Sequence, residues 1–435
     1  MLLFYSNKSS PRIEYICNTL FPAMGIEAFQ LTTDSNLFFN HSGARINYSP
    51  AIITNNEIWI KPVCLLFEDN IQPQTIEVFS IKDNVAFYKS EGHFTFDVFA
   101  ASFYLISRHE EYLPHKLDMY GRYAHENSLA FQNKFLHLPL VNIWLHQLKK
   151  ILQHKFSNLL FAPASFQFIP TYDIDIAWSY LNKGLVRNAG GLLKSITKGE
   201  VREARERLEV LVNIKHDPFD VYEWFDELHA AIKLKPLYFF LLAKENKDYD
   251  KNILPGRIKL QELIKKHAYK YEIGIHPSWQ SGENDLLLKQ EIELLELISK
   301  KKITKSRQHY IRMTLPATYR KLIEAGISED YSMGYGSING FRASYCLPFK
   351  WFDLEENKAT ELTILPFCFM EANSLFEQHY SADEALDELK EYYYQVQKVD
   401  GLLITIFHNH LITKQAKQLP WRMMYEKFLQ EITSA

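Results

Sequence analysis

The segment Phe166-Gln-Phe-Ile-Pro-Thr-Tyr-Asp173-Ile-Asp175 decides the predicted fold. An apolar run leads into two carboxylates, which is typical of a buried strand that ends at a polar edge. Further apolar, β-rich runs lie at 236–243, 271–276, 303–310 and 402–408. Helical patterns lie between them at 220–233, 256–268, 285–301, 316–325 and 382–398. Strands that alternate with helices in this way predict βα units around a largely parallel sheet.

The residues before this segment have a different pattern. Helical periodicity is visible at 12–21, 97–112 and 139–156. Two β-rich runs, 51–54 and 58–61, predict a hairpin around the turn Asn55-Asn-Glu57. We therefore predict a smaller α/β domain over residues 1–160 and a second domain over residues 161–435.

Composition excludes several classes of protein. The 435 residues include 49 Lys and Arg against 52 Asp and Glu, so the chain has no basic excess with which to neutralise nucleic-acid phosphates. The N-terminus lacks the features of a signal peptide, and the apolar runs are shorter than the ~20 residues that a membrane helix needs. Four scattered cysteines, expected to be small buried side chains, are typical of a reducing compartment: Cys17, Cys64, Cys346 and Cys368. The sequence predicts a cytoplasmic protein with no nucleic-acid partner and no membrane span, and it does not indicate the oligomeric state.

Ionisable side chains stand at the ends of several predicted strands, and the carboxyl ends of parallel strands meet at one edge of a sheet. Asp173 and Asp175 share one face of an extended chain, because side chains alternate with a period of two. One carboxylate could bind a cation while the other handles a proton. The alternative is a pair of solvated carboxylates that cap the next helix.

Histidines and an arginine follow the later strands. His276 is either a metal ligand or a structural histidine, and the position four residues on, which would share a helical face with it, is Gln280. Arg307 could orient a carboxylate through its forked guanidinium, and His309 would share its face, but both could equally be surface residues. His408 is either a general acid or a buried histidine bonded to the backbone.

The order of these motifs resembles the polysaccharide deacetylase superfamily, the NodB-homology or carbohydrate esterase family 4 fold. The matching motifs are Asp-Ile-Asp on the first strand, Phe-Phe-Leu-Leu on the second, Glu-Ile-Gly-Ile-His on the third, an Arg on the fourth and a final apolar strand that ends in His. They extend over residues 165–415. The resemblance implies a distorted (β/α) barrel with a divalent metal, usually zinc, that polarises an N-acetyl carbonyl and activates water.

The resemblance also implies roles for individual residues. Asp173 matches the general base, and Arg307 matches the arginine that orients it. Asp175 and His276 match metal ligands. His408 matches the late histidine that acts as general acid.

One position departs from the family pattern, which has His-x-x-x-His on the third strand where this chain has Gln280 as the second member. We expect His309 to be the third metal ligand, because an imidazole suits zinc better than an amide does. Gln280, a water molecule or loss of the metal are the alternatives. Arg342 and Tyr310 are candidate substrate-binding residues, with a structural salt bridge as the alternative for Arg342.

The N-terminal region resembles the uncharacterised domain found in front of such barrels in Bacteroidetes-type bacterial proteins. The residues that carry this resemblance are 99–112 and Asp118-Met-Tyr-Gly-Arg122. We expect this region to pack against the barrel or to restrict the substrate. For the whole chain, the sequence predicts a metal-dependent hydrolase that removes N-acetyl groups from a carbohydrate or glycan precursor. The alternatives are a carbohydrate-binding or assembly protein that has lost catalysis, and a hydrolase of non-sugar C–N bonds.

Overall fold

The computed structural model describes residues 1–81 and 84–434, with side chains as far as Ile432. It contains a four-stranded parallel sheet in the N-terminal part and a nine-stranded, largely parallel sheet in the C-terminal part. The protein is therefore a mixed α/β structure, as predicted. Within the described part of the chain, no helix is long and apolar enough to cross a membrane.

The N-terminal sheet has the strand order β2-β1-β3-β4, and a small antiparallel pair, β5 and β6, follows it. The N-terminal part contains the strands β1 (Leu2–Ser6), β2 (Phe29–Thr32), β3 (Ala44–Tyr48), β4 (Ile58–Trp59), β5 (Phe79–Ile81) and β6 (Asn84–Ala86). Its helices are α1 (Pro11–Ala23), α2 (Ser35–Asn40), α3 (Val98–Ile106), α4 (Leu129–Gln132) and α5 (Leu140–Lys155). The predicted helices at 12–21 and 139–156 are confirmed as α1 and α5. The one predicted at 97–112 ends early, at Ile106, and a separate 3₁₀ turn covers His109–Tyr112.

The predicted hairpin at 51–61 is wrong. Strand β4 pairs with β3 in parallel, and the residues before it form no strand. The reason is the buried carboxylate of Glu57, which accepts the backbone N–H groups of Ile53 and Thr54, each at 3.1 Å. These donors are satisfied by a side chain and need no partner strand.

The C-terminal sheet has the order β12-β13-β11-β10-β9-β8-β7-β15-β14, in which only the β12–β13 pair is antiparallel. The strands are β7 (Gln167–Ile174), β8 (Leu237–Leu241), β9 (Glu272–His276), β10 (Lys305–Ser306), β11 (Glu329–Asp330), β12 (Phe349–Asp353), β13 (Lys358–Ile364), β14 (Phe369–Met370) and β15 (Leu402–His408). The helices are α6 (Leu185–Thr197), α7 (Val201–Leu211), α8 (Tyr222–Ile232), α9 (Ile258–Lys270), α10 (Asp285–Ser299), α11 (Ala317–Glu324), α12 (Ala382–Gln397) and α13 (Leu419–Ser434).

The five strands predicted for this half are all present, but the fourth is shorter than expected. Strand β10 covers Lys305–Ser306 only, whereas the sequence predicts a strand over 303–310. After it, Gln308 N donates to Ser332 Oγ at 2.9 Å, and Tyr310 has a positive φ of 59°. This turn takes His309 off the strand and directs the chain across the end of the sheet.

The hydrogen-bonded ladders of this sheet do not close into a barrel. Among residues 1–81 and 84–434, no ladder joins the edge strands β12 and β14. Single backbone bonds bridge part of the gap, from Phe367 N to Met333 O at 3.2 Å and from Gly340 N to Cys368 O at 2.8 Å. A closed barrel therefore stays a prediction, and the architecture that the ladders define is an open sheet.

Both halves contribute to one apolar core. Tyr15 of α1 donates to the carbonyl of Lys350 in β12 at 2.7 Å, and its ring centroid lies 4.8 Å from that of Phe352. A buried ion pair also joins the halves, with Arg342 Nε 2.8 Å from Glu111 Oε1. The N-terminal part is thus packed directly against the C-terminal sheet, and the domain boundary near residue 160 stays a prediction.

Candidate metal and acid–base site

A cavity of about 510 Å³ lies at the carboxyl ends of the parallel strands in the C-terminal sheet. Its wall includes six of the residues singled out in the sequence: Asp173, Asp175, His276, His309, Tyr310 and His408. Strand register explains why they meet. In the ladder between β15 and β7, His408 lies opposite Asp173, and β9 ends in His276 two strands away. The expectation that polar strand ends converge at one edge is confirmed.

Asp175, His276 and His309 form a candidate metal site. One ligand atom from each lies within 4.8 Å of the others. His276 Nε2 is 3.2 Å from Asp175 Oδ1, and His309 Nε2 is 3.8 Å from Asp175 Oδ2. Two histidine nitrogens and one carboxylate oxygen are a ligand set that zinc commonly has in the catalytic sites of proteins. Gln280, the alternative third ligand, is not among the described residues that line the cavity, and its amide Nε2 donates to Asp250 Oδ2 at 3.0 Å.

The second ring nitrogen of each histidine is already engaged. His276 Nδ1 is 2.6 Å from the carbonyl of Arg307, which only accepts, so this nitrogen carries the proton. His309 Nδ1 lies 3.0 Å from a carboxylate oxygen of Asp250, and His408 Nδ1 lies 3.1 Å from one of Glu371. In each ring Nε2 is therefore the free nitrogen, and it faces Asp175.

This arrangement requires positive charge at its centre. The Nε2 lone pairs of neutral His276 and His309 rings would repel the carboxylate of Asp175, and Asp175 Oδ1 is a buried oxygen with no hydrogen-bond partner. Protons on the imidazoles or a metal ion could supply that charge. Burial opposes protonation of His276, yet the charges of Asp173 and Asp175 raise its pKa. The residues present therefore fit a divalent cation.

Asp173 lies beside the metal group in a different environment. Its Oδ1 accepts from Arg307 Nη1 at 2.9 Å, and the same Nη1 donates to Thr171 Oγ1 at 2.6 Å. Arg307 is fully buried, with its guanidinium carbon 4.4 Å from the ring centroid of Phe239. This bond fixes the orientation of one carboxylate oxygen and leaves the other, Oδ2, at 3.8 Å from His276 Nε2.

His408 is held by a carboxylate that sequence reasoning missed. Glu371 is fully buried, follows the short strand β14, and accepts from both the ring and the backbone N–H of His408. Burial opposes protonation of His408, but the charge of Glu371, aided by Asp175, raises its pKa to about 10. This imidazole can therefore carry a proton into the cavity.

Asp250 is a second missed residue. It is fully buried in the loop after β8, and its Oδ1 accepts from Trp279 N at 3.0 Å as well as facing His309. Gln280 Nε2 donates to its Oδ2 at 3.0 Å. A carboxylate in this position sets the tautomer and the direction of an imidazole ligand. No local pattern in the sequence marks it, because it acts across 59 residues.

The N-terminal half supplies part of the cavity wall. Tyr120 and Arg122 line it, although they are distant in sequence from the strands. Arg122 Nη1 donates to the carbonyl of Tyr310 at 2.6 Å, and the rings of Tyr120 and Tyr310 are 5.3 Å apart. The predicted substrate-binding residue Tyr310 is thus at the cavity and is braced by the N-terminal half.

Arg342, the other predicted substrate-binding residue, lies elsewhere. It is buried at 1% exposure and does not line the cavity, as far as the described residues define it. Its guanidinium donates to both carboxylate oxygens of Glu111 and to the carbonyl of Gly334. The geometry is that of the structural salt bridge left open as the alternative.

Fold and site together define an α/β protein with a candidate divalent-metal site at the carboxyl edge of a parallel sheet. A family described as a family of unknown function, DUF7033, matches residues 2–157. No curated protein matches the chain.

Several solved structures are similar to the chain. One, assigned as a polysaccharide deacetylase from Mycobacterium smegmatis, is 12% identical with a TM-score of 0.40, over 63% of this chain and 85% of that chain. A polysaccharide deacetylase from Bacillus cereus is 10% identical with a TM-score of 0.29, over 62% and 89%. A third, assigned as a polysaccharide deacetylase from Pseudomonas aeruginosa, is 11% identical with a TM-score of 0.39, over 63% and 89%. Identities and TM-scores are low, so we derive the function from the geometry of the site.

Proposed function

We propose that this protein is a metal-dependent hydrolase that removes N-acyl groups, above all N-acetyl, from a carbohydrate or glycan precursor in the cytoplasm. The observation that carries the proposal is the convergence of three imidazole Nε2 atoms on Asp175, beside a second carboxylate, Asp173, that is held by Arg307. The order of motifs along the sequence supports the same class of reaction.

Asp175, His276 and His309 would hold the metal, for which zinc fits the donor set best. When bound, such an ion lowers the pKa of a bound water and polarises the acyl carbonyl. Asp250 keeps His309 in the tautomer that presents Nε2.

The remaining groups of the site would move protons. Asp173 takes a proton from the attacking water, and the hydrogen bond from Arg307 fixes the orientation of its carboxylate. His408, which Glu371 keeps protonated, gives a proton to the nitrogen of the amide as the C–N bond breaks. Water is consumed, and a carboxylic acid and an amine are released.

The wall formed by Tyr120, Arg122 and Tyr310 would limit which substrates enter. Aromatic rings offer apolar faces to sugar C–H groups, and a cavity of about 510 Å³ has room for a short saccharide. The N-terminal half would in this way restrict the substrate and leave the chemistry to the C-terminal sheet.

Metal content tests the first part of the proposal. After zinc loading and desalting, the wild-type protein is expected to retain about one zinc per chain. His309→Ala is expected to lose it, and Asp250→Asn to bind zinc about 10- to 100-fold more weakly. His137→Ala, which removes an exposed histidine outside the cavity, is the matched control and should bind as wild type does. Retention of zinc by His309→Ala would contradict the ligand set, and a zinc-free wild type would favour a carbohydrate-binding protein without catalysis.

Acetate release tests the second part. We expect zinc-dependent release from at least one member of a panel of N-acetylated hexosamines and their short oligomers, and its loss on treatment with a chelator. Release only from non-sugar amides would assign the protein to hydrolases of other C–N bonds. Binding of the saccharides without release would leave the binding-protein alternative.

A further inference from the structure

A second cavity, of about 330 Å³, lies between the helices α6 and α7, which pack side by side as a helical hairpin. We call this cavity the α6–α7 groove. It shares no residue with the wall of the larger cavity described above. Its lining contains five cationic side chains and two carboxylates: Lys183, Arg187, Lys194, Lys198 and Arg207 against Glu200 and Glu203. Because the whole chain has 49 Lys and Arg against 52 Asp and Glu, the groove is a local concentration of positive charge.

Arg207 is the most buried of these cations, with 8% of its surface exposed. Its Nη2 is 3.2 Å from Glu203 Oε1, and its Nη1 is 3.4 Å from Asn188 Oδ1, so both hydrogen bonds are long for a guanidinium. Its Nε is buried and has no hydrogen-bond partner within the described part of the chain. A buried guanidinium whose donors are incompletely satisfied is stabilised by a further acceptor.

The position of this guanidinium depends on a glycine of α6. A Cβ atom added at Gly191 would lie 2.4 Å from Nη1 and 2.7 Å from Cζ of Arg207. The same Cζ is 4.7 Å from the ring centroid of Tyr180. Any larger residue at position 191 would therefore displace the guanidinium. The neighbouring Gly190 has no such role, because a Cβ atom there would point into open space.

Lys183 and Arg187 bring two more charges to the groove. Neither forms an ion pair with a carboxylate in the described part of the chain, and the ion pairs of the hairpin involve only cations of α7 and of the residues after it. The hydrogen bonds of Arg187 go to neutral acceptors, among them the side chain of Asn246 and, at 3.1 Å, the carbonyl of Asn252. Burial, together with the charges of Arg187 and Arg207, lowers the pKa of Lys183 to about 8. Cations that crowd in this way are stabilised by an anion between them.

We propose that the α6–α7 groove binds the phosphoryl group of a small anionic ligand. Guanidinium and ammonium groups together are the donors that proteins use for phosphate oxygens. A phosphate monoester is largely a dianion at neutral pH, so it offsets more of the excess of five cations over two carboxylates than a carboxylate ligand would. The volume of the groove limits the ligand to a small molecule.

Two sources of the phosphoryl group fit this chemistry, inorganic phosphate and a phosphorylated saccharide. The groove is close to the larger cavity: burial is the main reason why the pKa of His410 falls to about 4, and the charge of Lys183 contributes to it. His410 belongs to the wall of that cavity. A saccharide whose phosphate occupies the groove would make phosphorylated saccharides the substrate class of the proposed hydrolase. That step rests on the proposed function, whereas the phosphoryl site itself does not.

Binding of inorganic phosphate to the full chain tests the site. Isothermal titration calorimetry at fixed ionic strength is expected to show saturable binding of about one phosphate per chain, and much weaker binding of acetate. Gly191→Ala keeps every charge and favours the helix, yet it displaces the guanidinium of Arg207, so the affinity for phosphate should fall about tenfold. Gly190→Ala is the matched control and should bind phosphate as wild type does.

Removal of charge gives a second test. Lys194→Gln with Lys198→Gln removes two exposed cations of the groove and should also weaken phosphate binding about tenfold. Lys289→Gln with Lys300→Gln removes two exposed cations outside the groove and should have no effect. Circular dichroism confirms that each variant is folded. A wild type that does not bind phosphate, or equal phosphate affinity of the Gly191→Ala and Gly190→Ala variants, would overturn the proposal.

Two further titrations separate this site from the metal site and identify the source of the phosphoryl group. His309→Ala should bind phosphate as wild type does, and loss of phosphate binding in this variant would assign the phosphate to a metal ion in the larger cavity instead. N-acetylglucosamine 1-phosphate is compared with inorganic phosphate. Tighter binding of the sugar phosphate, weakened in Gly191→Ala, would assign the groove to a phosphorylated saccharide, and equal affinity would assign it to inorganic phosphate. Zinc content and acetate release are measured separately, so failure of the phosphoryl site leaves the proposed hydrolase intact.

Discussion

The N-terminal and C-terminal halves of this protein both bury carboxylates, but they use them differently. In the N-terminal half Asp97 is fully buried and begins α3. Its Oδ1 accepts from Phe99 N at 3.1 Å and Ala100 N at 3.0 Å, and its Oδ2 accepts from Tyr48 at 2.6 Å and Val63 N at 2.8 Å. Every acceptor position of this carboxylate is used to satisfy local donors.

In the C-terminal half the carboxylate of Asp175, unlike that of Asp97, is not fully supplied with hydrogen-bond donors. One of its oxygens has no hydrogen-bond partner, and the Nε2 atoms of His276, His309 and His408 face it. Burial is common to Asp97 and Asp175, so burial alone does not identify a functional carboxylate. What distinguishes the two is whether the lone pairs are satisfied by the fold or are left for a ligand.

The largest expected effect is a loss of catalytic rate when Asp173, the second carboxylate of the C-terminal site, is replaced. Asp173→Asn keeps an oxygen for Arg307 but removes the group that accepts a proton from water, so we expect the rate of acetate release to fall about 10²- to 10⁴-fold. Zinc content should stay close to wild type, because Asp173 is not among the three ligands. The measurement is kcat of protein shown to be folded by circular dichroism. An unchanged kcat would remove Asp173 from the proposed chemistry.

Much of the C-terminal sheet could be predicted from the sequence, because each buried strand is an apolar run followed by a polar residue. The same local signal identified Asp175, His276 and His309, which the structure brings together. Asp250 and Glu371 could not be found in this way. They contact His309 and His408 across 59 and 37 residues, and such contacts depend on the fold as a whole.

The α6–α7 hairpin was missed for a different reason. Several of its apolar residues, among them Leu185, Leu193 and Val201, do not face a core, and Gly190, Gly191 and Gly199 lower the helix propensity of the segment. The hairpin at 51–61 was predicted wrongly because β-rich residues suggested pairing, whereas Glu57 satisfies the backbone donors of that loop. Local propensity predicts the conformation correctly where the apolar residues of a segment are also its buried residues. It predicts the wrong conformation where a distant residue or a polar side chain such as Glu57 decides the backbone hydrogen bonds.

Replacement of Asp97 tests the structural side of the comparison. In Asp97→Asn one acceptor becomes an amide N–H, so Val63 N–H is left buried without an acceptor, and we expect the free energy of unfolding to fall by about 1–3 kcal/mol. Asp34→Asn is the matched control, because Asp34 caps α2 at an exposed position where Asn is an equally good cap. Urea unfolding measures both. Zinc content of folded Asp97→Asn should equal that of wild type, and a loss of zinc there would contradict the division of roles between the two sheets.

The smallest expected effect concerns the place where the two halves meet at the cavity. Tyr120 belongs to the N-terminal half, and its ring lies 5.5 Å from that of Tyr249 and 5.3 Å from that of Tyr310. If this half contributes a wall rather than acid–base groups, Tyr120→Ala should raise KM about 3- to 10-fold for the acetylated saccharide and leave kcat and zinc content unchanged. Tyr269→Ala, at a position 91% exposed and outside the cavity, should change neither constant. A fall in kcat at unchanged KM would instead make the N-terminal half part of the acid–base machinery, and the contrast between the two halves would not hold.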